Sequence, residues 1–254
     1  MSKRPLILVT NDDGYTASGI RNLIDAAKKY GDVIVVAPDK PQSGMGHAIT
    51  INNTLRLQEI EVNDVYREYA CSGTPVDCVK LAIANILKRK PDLILSGINH
   101  GSNSSISVIY SGTMSAAVEG AIEGIPSVGF SLCDYSINAN FSACLPHVEK
   151  VIKHVLENGL ENGTCLNVNF PKYKGEPYKG IKICRQAKAV WIEKFDERHD
   201  PNGRPYYWLT GYLQNPDKEN DTDEFALSDY YVSVVPTQYD LTAYQAIQKL
   251  KPLE

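Results

Sequence analysis

The chain has 254 residues, 43% of them hydrophobic and 22% charged, with 26 basic and 30 acidic side chains for a net charge of −4. That length and balance exclude a disordered chain and suit one large α/β domain or two small ones with an ample core. So mild a charge leaves no electrostatic footprint for nucleic acid or an anionic membrane, and a phosphorylated ligand would need a local cationic site or a metal.

The N-terminus, MSKRPLILVTNDD, carries an apolar run too short for a signal sequence or a membrane span, and the chain reads as cytoplasmic. Its six cysteines (Cys71, Cys78, Cys133, Cys144, Cys165, Cys184) are scattered without a CxxC pair. They read as reduced, buried thiols rather than disulfides or zinc ligands.

In chain order, PLILVT predicts a strand and residues 18–30 a helix with Ile20, Leu23, Ile24 and Ala27 on one face. DVIVVAP, from Asp32, is the next strand. Residues 48–71 alternate polar and apolar and predict extended structure open to antiparallel pairing. SGTPVDCVKLAIANILKRK, from Ser72, is a helix with Thr74 as N-cap, Pro75 in the first turn and Asp77 at the positive end. DLILSG is a third buried strand, MSAAVEGAIEG a helix of small residues suited to close packing, and IPSVGFSL a fourth strand. Residues 142–156 predict a helix leading to the strand TCLNVNF. Val/Ile/Leu strands alternating with helices indicate an α/β fold with a Rossmann-like, mostly parallel sheet covered by helices on both faces. Ligands of such sheets bind outside the carboxyl ends of the strands.

The character changes after Lys188. WIEKFDERHDPNGRPYYWLTG predicts a β-hairpin around Pro201-Asn202-Gly203, followed by a polar loop over 215–224, the strand DYYVSVVPT and a closing helix over DLTAYQAIQKL. Seven tyrosines concentrate there (Tyr206, Tyr207, Tyr212, Tyr230, Tyr231, Tyr239, Tyr244). They suit either a subunit interface or ordinary packing on the core. The reading is of a single α/β domain over 1–254, with a core over 1–187 and an extended C-terminal arm and closing helix over 188–254.

Polar motifs follow three core strands: NDDG after LILVT, DKPQSGMGH after VIVVAP, and GINHGSN after LILS. A fourth, YSGT at 110–113, opens the small-residue helix. Parallel strands end on one sheet edge, so all four can converge on one crevice. Adjacent Asp12 and Asp13 repel, and a divalent cation would relieve that repulsion; capping of the turn is the alternative. Ser43 and Asn99, from neighbouring strand ends, are neutral oxygen donors that could complete such a site. Ser111, Gly112 and Thr113 at a helix start form either an anion cradle or a plain N-cap. Asn103 could orient phosphate or serve the turn. Gly44, Gly46, Gly97 and Gly101 keep the loops thin enough for backbone to approach a ligand. Asn11 and Gly44 are assigned with the cradle to the substrate side. His47 and His100 share these loops as candidate proton donors or supporting groups, and neither is named as general acid.

The chain has no GxxxxGK[ST], no complete GxGxxG and no GxSxG, and the acids after its first strand are adjacent rather than spaced as DxD. That argues against P-loop, dinucleotide-binding, aspartyl-phosphate and serine-elbow chemistry.

With NDDG, PxxxQSG, SGIN-x-G-x-N and YSGT in this order and spacing, and DLTA at 240–243, the chain resembles the SurE family of survival-protein phosphatases along its whole length. The resemblance implies a cytoplasmic 5′-nucleotidase, dependent on one divalent cation per subunit (Mg²⁺ or Mn²⁺). Such an enzyme hydrolyses nucleoside 5′-monophosphates, with 3′-nucleotides and short polyphosphate as further substrates. It also implies a homodimer or homotetramer formed through the C-terminal arm, with no nucleic-acid or membrane partner. The family's metal ligands fall on Asp12, Asp13, Ser43 and Asn99, and its phosphate-contacting segment on Asn103 and Ser111 to Thr113. The acidic residues that the family often carries before YSGT are replaced here by SSISVI. A water activated by the site, or Asp12 or Asp13 as base or nucleophile, are all compatible with this pattern. A nucleoside N-ribohydrolase and a non-catalytic nucleotide sensor are the rival readings.

Overall fold

The computed structural model describes residues 4–63 and 66–254. Strand β1 (Leu6–Thr10) lies in the middle of a nine-stranded sheet, flanked by β2 (Asp32–Pro38) and β5 (Leu93–His100), and runs parallel to both. Ile7, Leu8, Val9 and Thr10 are fully buried. Each large apolar side chain so buried contributes about 1.5–3 kcal/mol, so the strand end that carries Asn11 to Asp13 has a rigid root.

On one side of β2 the sheet continues to β4 (Tyr66–Cys71) in parallel, and β3 (Leu57–Val62) closes that edge antiparallel to β4. This is the antiparallel pair that residues 48–71 allowed. On the other side of β5 follow β6 (Ser127–Leu132) and β7 (Thr164–Phe170), both parallel. Helices α1 (Ser18–Ala27) and α4 (Leu145–Asn158) share one apolar cluster with alternate residues of these strands. Helices α2 (Pro75–Leu81) and α3 (Gly112–Ile122) share the other. All six cysteines are free, five of them buried.

Several boundaries differ from the sequence expectation for local reasons. Helix α1 ends at Ala27 because its last turn tightens into i→i+3 bonds from Lys29 and Tyr30. The capping box of Thr74 and Asp77 and the initial Pro75 start α2 as expected. The helix widens into a π-helical turn, Ala82–Ile86, and stops at an extended Leu87 before Lys88-Arg89-Lys90-Pro91.

The core does not end at residue 187. Strand β8 (Ile181–Ile183), too short for a periodic signal, and β11 (Val232–Gln238) both belong to the main sheet, and β11 runs antiparallel to β7. Between them β9 (Val190–His199) and β10 (Pro205–Gln214) form the expected hairpin as a separate two-stranded ribbon, exposed along nearly all its length. The polar loop is shorter than expected because Thr222 caps a helix, α5 (Asp223–Ser228). The final helix, α6 (Tyr244–Leu250), buries no residue and so does not close onto the core.

The packing of α1 on β5 leaves no room for a side chain at Gly19, where a Cβ would lie 1.9 Å from the Ile98 carbonyl oxygen. Gly19→Ala is expected to destabilise the protein by about 1–3 kcal/mol through overpacking. A urea midpoint equal to that of the wild type would contradict this packing.

Candidate functional site

The chain passes from β1 outward to β2 and β4, then returns to β5 on the opposite side. The gap between β1 and β5 is therefore the topological switch point, where a ligand meets the carboxyl ends of the strands. Asn11 to Asp13 follow β1 there, and Asn99 is the penultimate residue of β5.

Asp12 is buried, 3% exposed. Its Oδ1 accepts a hydrogen bond of 2.5 Å from the Thr113 hydroxyl at the start of α3. Gly112 makes this approach possible, since a Cβ there would lie 2.8 Å from Asp12 Cβ. The Asp12 carbonyl accepts from Gln42 N at 2.7 Å, fastening the loop that carries Ser43. Burial, and after it the neighbouring Asp13, push the Asp12 carboxyl up to about 6, against the opposing bond from Thr113. Asp13 turns to the other side, where its Oδ2 accepts from His100 N at 3.0 Å and lies 3.4 Å from His100 Nδ1.

Asp12, Ser43, Gly44, Asn99, Asn103 and Ser111 share the wall of a cleft of about 210 Å³. The Asn99 amide nitrogen donates to Gly101 O at 3.0 Å, which leaves its carbonyl oxygen as the free end. Of its two sequence readings, the structure shows Ser111 in the N-cap role. It caps α3 by accepting from Met114 N at 3.0 Å, and it stands on the cleft wall. Thr113 is fully buried and acts on the site through Asp12. Asn11 is fully buried too, and its amide nitrogen closes the acid turn onto Gly14 O at 2.9 Å. Its expected place on the substrate side thus becomes, in the structure, a bond that shapes the turn.

The donors on the cleft wall are the Asp12 carboxylate, the Ser43 hydroxyl and the Asn99 amide oxygen, with Asp13 next in the chain but not itself on that wall. Among the described residues no group of three or more His, Cys, Asp and Glu could hold a metal ion, so no nitrogen- or sulfur-rich centre competes with this oxygen set. Oxygen donors suit a hard divalent cation, and Asp12 with Asp13 would supply its charge balance. The residues fit such an ion.

Two supporting networks escape the motif analysis. Asn103 is held at three points: its N–H donates to Asn169 Oδ1, its side-chain amide to Ser131 Oγ, and its carbonyl accepts from the Asn167 amide, each at 2.8 Å. The Asn167 and Asn169 pair, two apart on an otherwise apolar strand and so on one face, was the available signal. The second network starts from Glu119, a lone acid among the small residues of α3. Its buried carboxylate lies 2.9 Å from His47 Nε2 and 2.5 Å from Lys80 Nζ. Burial raises this carboxyl, but bonds from His47 and Lys80 outweigh it and hold Glu119 below the usual range. His47 thus anchors the Ser43 loop to α3.

Residues 7–193 match the family described as Survival protein SurE. The chain is 64% identical to the 5′-nucleotidase SurE of Flavobacterium psychrophilum over 98% of its own length and 97% of that protein's. It is 62% identical to the 5′-nucleotidase SurE of Christiangramia forsetii, over 98% of this chain and 96% of that one. The crystal structure of the SurE protein from Aquifex aeolicus superposes with a TM-score of 0.85 at 41% identity, covering 98% of this chain and 99% of that one. Matched over most of its length by the family and over nearly all of it by these relatives, the chain belongs to the SurE family.

Proposed function

We propose that the protein is a divalent-cation-dependent phosphatase that hydrolyses nucleoside 5′-monophosphates to nucleoside and inorganic phosphate. The observation that carries this reading is the bond between Thr113 and Asp12. It joins the acid pair, where a cation would sit, to the first turn of an 11-residue helix whose amide dipoles favour an anion. The relatives' names, 5′-nucleotidase, support the substrate class.

In this reading Asp12, Asp13, Ser43 and Asn99 hold one Mg²⁺ or Mn²⁺. Bound there, the cation supplies charge neutralisation for the phosphoryl group and the attacking oxygen. The chain's own groups do the rest. The backbone at Ser111, Gly112 and Gly44 receives phosphoryl oxygens, and the Asn103 side chain orients them. The threefold hold on Asn103 spares the reorganisation that a mobile side chain would need at the moment of reaction. Open access to the same cleft makes 3′-nucleotides and short polyphosphate further substrates.

Self-association through the C-terminal arm belongs to the same proposal. Phe195, Tyr206, Tyr207, Trp208 and Leu209 stand exposed on the hairpin, and α6 has an unburied apolar side. Six free thiols favour the reducing cytoplasm. Among the described residues no helix is long and apolar enough to cross a membrane.

Phosphate release from a panel of nucleoside monophosphates should vanish in EDTA and return with Mg²⁺ or Mn²⁺; release that survives chelation would exclude the cation. Asp12→Asn and Asp13→Asn should each lower kcat/KM by more than about a hundredfold, the upper figure for groups that merely support a ligand. Their circular dichroism should be unchanged, and an active, folded variant would remove that residue from the site.

A pH dependence follows from Asp12. Its carboxyl, at about 6 in the folded chain, lies above the ordinary carboxylate value. In EDTA the folded state is therefore favoured at low pH, and that advantage is lost as pH rises from about 4 to about 6. A cation that needs the ionised pair acts in the opposite sense. Mg²⁺ or Mn²⁺ should raise the Tm more at about pH 7.5 than at about pH 5, and equal shifts would argue that Asp12 is not a ligand.

Glu119→Gln should loosen the Ser43 loop without touching the cleft. The expected result is a rise of roughly tenfold in the cation concentration for half-maximal rate, with little change in rate at saturation. A fall in the saturated rate alone would assign Glu119 to the packing of α3 instead.

A further inference from the structure

The cleft opens into a second, larger cavity of about 410 Å³, and the two share Ser102, Ser107, Tyr135 and Trp191. The first space suits a phosphoryl group and an ion. The second falls within the range of small-molecule pockets, so the site has room for the remainder of an ester. Two aromatic rings stand where the spaces meet. Trp191, at the root of β9, is fixed by its indole N–H donating to Ser107 Oγ at 3.1 Å. Tyr135 is 74% exposed, and its ring lies against the Gly101 backbone, where a Cβ would come within 2.3 Å of the ring edge.

The far wall carries charge of both signs. Lys172 is paired with Asp134 at 3.2 Å, and the Lys174 ammonium lies 5.2 Å from the Tyr230 ring centroid. Glu224 on α5 accepts 2.5 Å from the Ser104 hydroxyl, which is itself 2.6 Å from Ser102 Oγ. A wall of this kind suits a neutral, hydrogen-bonding group better than a second phosphate. Aromatic faces stack on any of the bases, because each base has a π-face. Carboxylates accept hydrogen bonds from ribose hydroxyls in other nucleotide sites.

Resting on the phosphatase reading above, we propose that this second cavity is the nucleoside subsite. The base stacks on Tyr135 and Trp191, and Glu224 accepts hydrogen bonds from the sugar. Selectivity for nucleotides over other phosphate monoesters then resides in those two rings, outside the phosphate-binding motifs.

The test compares kcat/KM for AMP with that for ribose 5-phosphate, which keeps the sugar and phosphate but has no base. It uses the full chain at saturating Mg²⁺ or Mn²⁺. Tyr135→Ala and Trp191→Ala should each lower the ratio of the two by roughly fivefold or more, the lower end of base stacking, chiefly through the KM for AMP. Tyr135→Phe, which keeps the ring, should retain the ratio. A ratio unchanged in both alanine variants overturns the subsite, even if both activities fall together. Loss of the ratio in Tyr135→Phe overturns stacking in favour of the hydroxyl. Should Trp191→Ala not fold, the exposed Tyr135 variants decide the matter alone. A wild type that hydrolyses ribose 5-phosphate with the ratio insensitive to the rings overturns the subsite and leaves the phosphatase standing. A wild type inert on both substrates overturns both.

Discussion

Two adjacent carboxylates at the end of a buried strand set the constraint around which the rest of the molecule is arranged. Two like charges about 4 Å apart repel by about 4 kcal/mol at an effective dielectric near 20, and Asp12 adds the penalty of near-complete burial. A hydrogen bond to a charged group returns about 1.5–3 kcal/mol, and Asp12 Oδ1 receives one such side-chain bond, from Thr113. The protein's own bonding therefore falls short of neutralising the pair, which is why the Asp12 carboxyl rests near 6. Capping, the modest explanation for an acid turn, accounts for Asn11 and for the bond from His100 N to Asp13. It does not account for burying an ionisable Asp12.

The fold answers this constraint with stiffness. β1 is buried on both faces, α3 presses its first turn on Asp12 through Gly112, and the loop after β2 is tied at both ends. Gln42 N bonds to the Asp12 carbonyl and His47 to Glu119. Asn103 is similarly tied to β6 and β7. The groups on the cleft wall thus hang from the ends of β1, β2 and β5 and from the start of α3, all held on one rigid sheet. Sites built this way keep their geometry because no single loop has to supply it.

This arrangement also explains what was legible in the sequence. β1, β2, β5 and β6 are apolar runs bounded by turn chemistry, and Thr74-Pro75-Asp77 announces α2, so local signals and tertiary packing agree. The acid pair stood out because it contradicts its strand. What stayed hidden is non-local. Nothing in VSVVPTQ tells that β11 inserts between β7 and β8, so the core seemed to stop before the hairpin. Asn167, Asn169 and Glu119 act through partners 64, 66 and 72 residues away. Asn11 carried the right chemistry for a ligand contact, but the turn it closes takes its amide inward.

The insertion of β11 also separates two parts of the C-terminal arm. Asp223, fully buried, accepts from Ser105 N at 2.7 Å and from Ala187 N at 2.9 Å. It clamps together α5, the turn before YSGT and the root of the hairpin. That clamp fixes Trp191 and Glu224 relative to the cleft, while the hairpin beyond them is exposed over nearly its whole length. The sequence alone left the tyrosine-rich arm divided between interface and core packing. The clamp divides it in space instead: the root is part of the site wall, and the distal ribbon is free to meet another molecule. Trp191, bonded to Ser107, and Ala189, bonded to Ser105, tie the root of the hairpin to the segment before YSGT, so the aromatic at the mouth of the second cavity is also a mechanical link between arm and site.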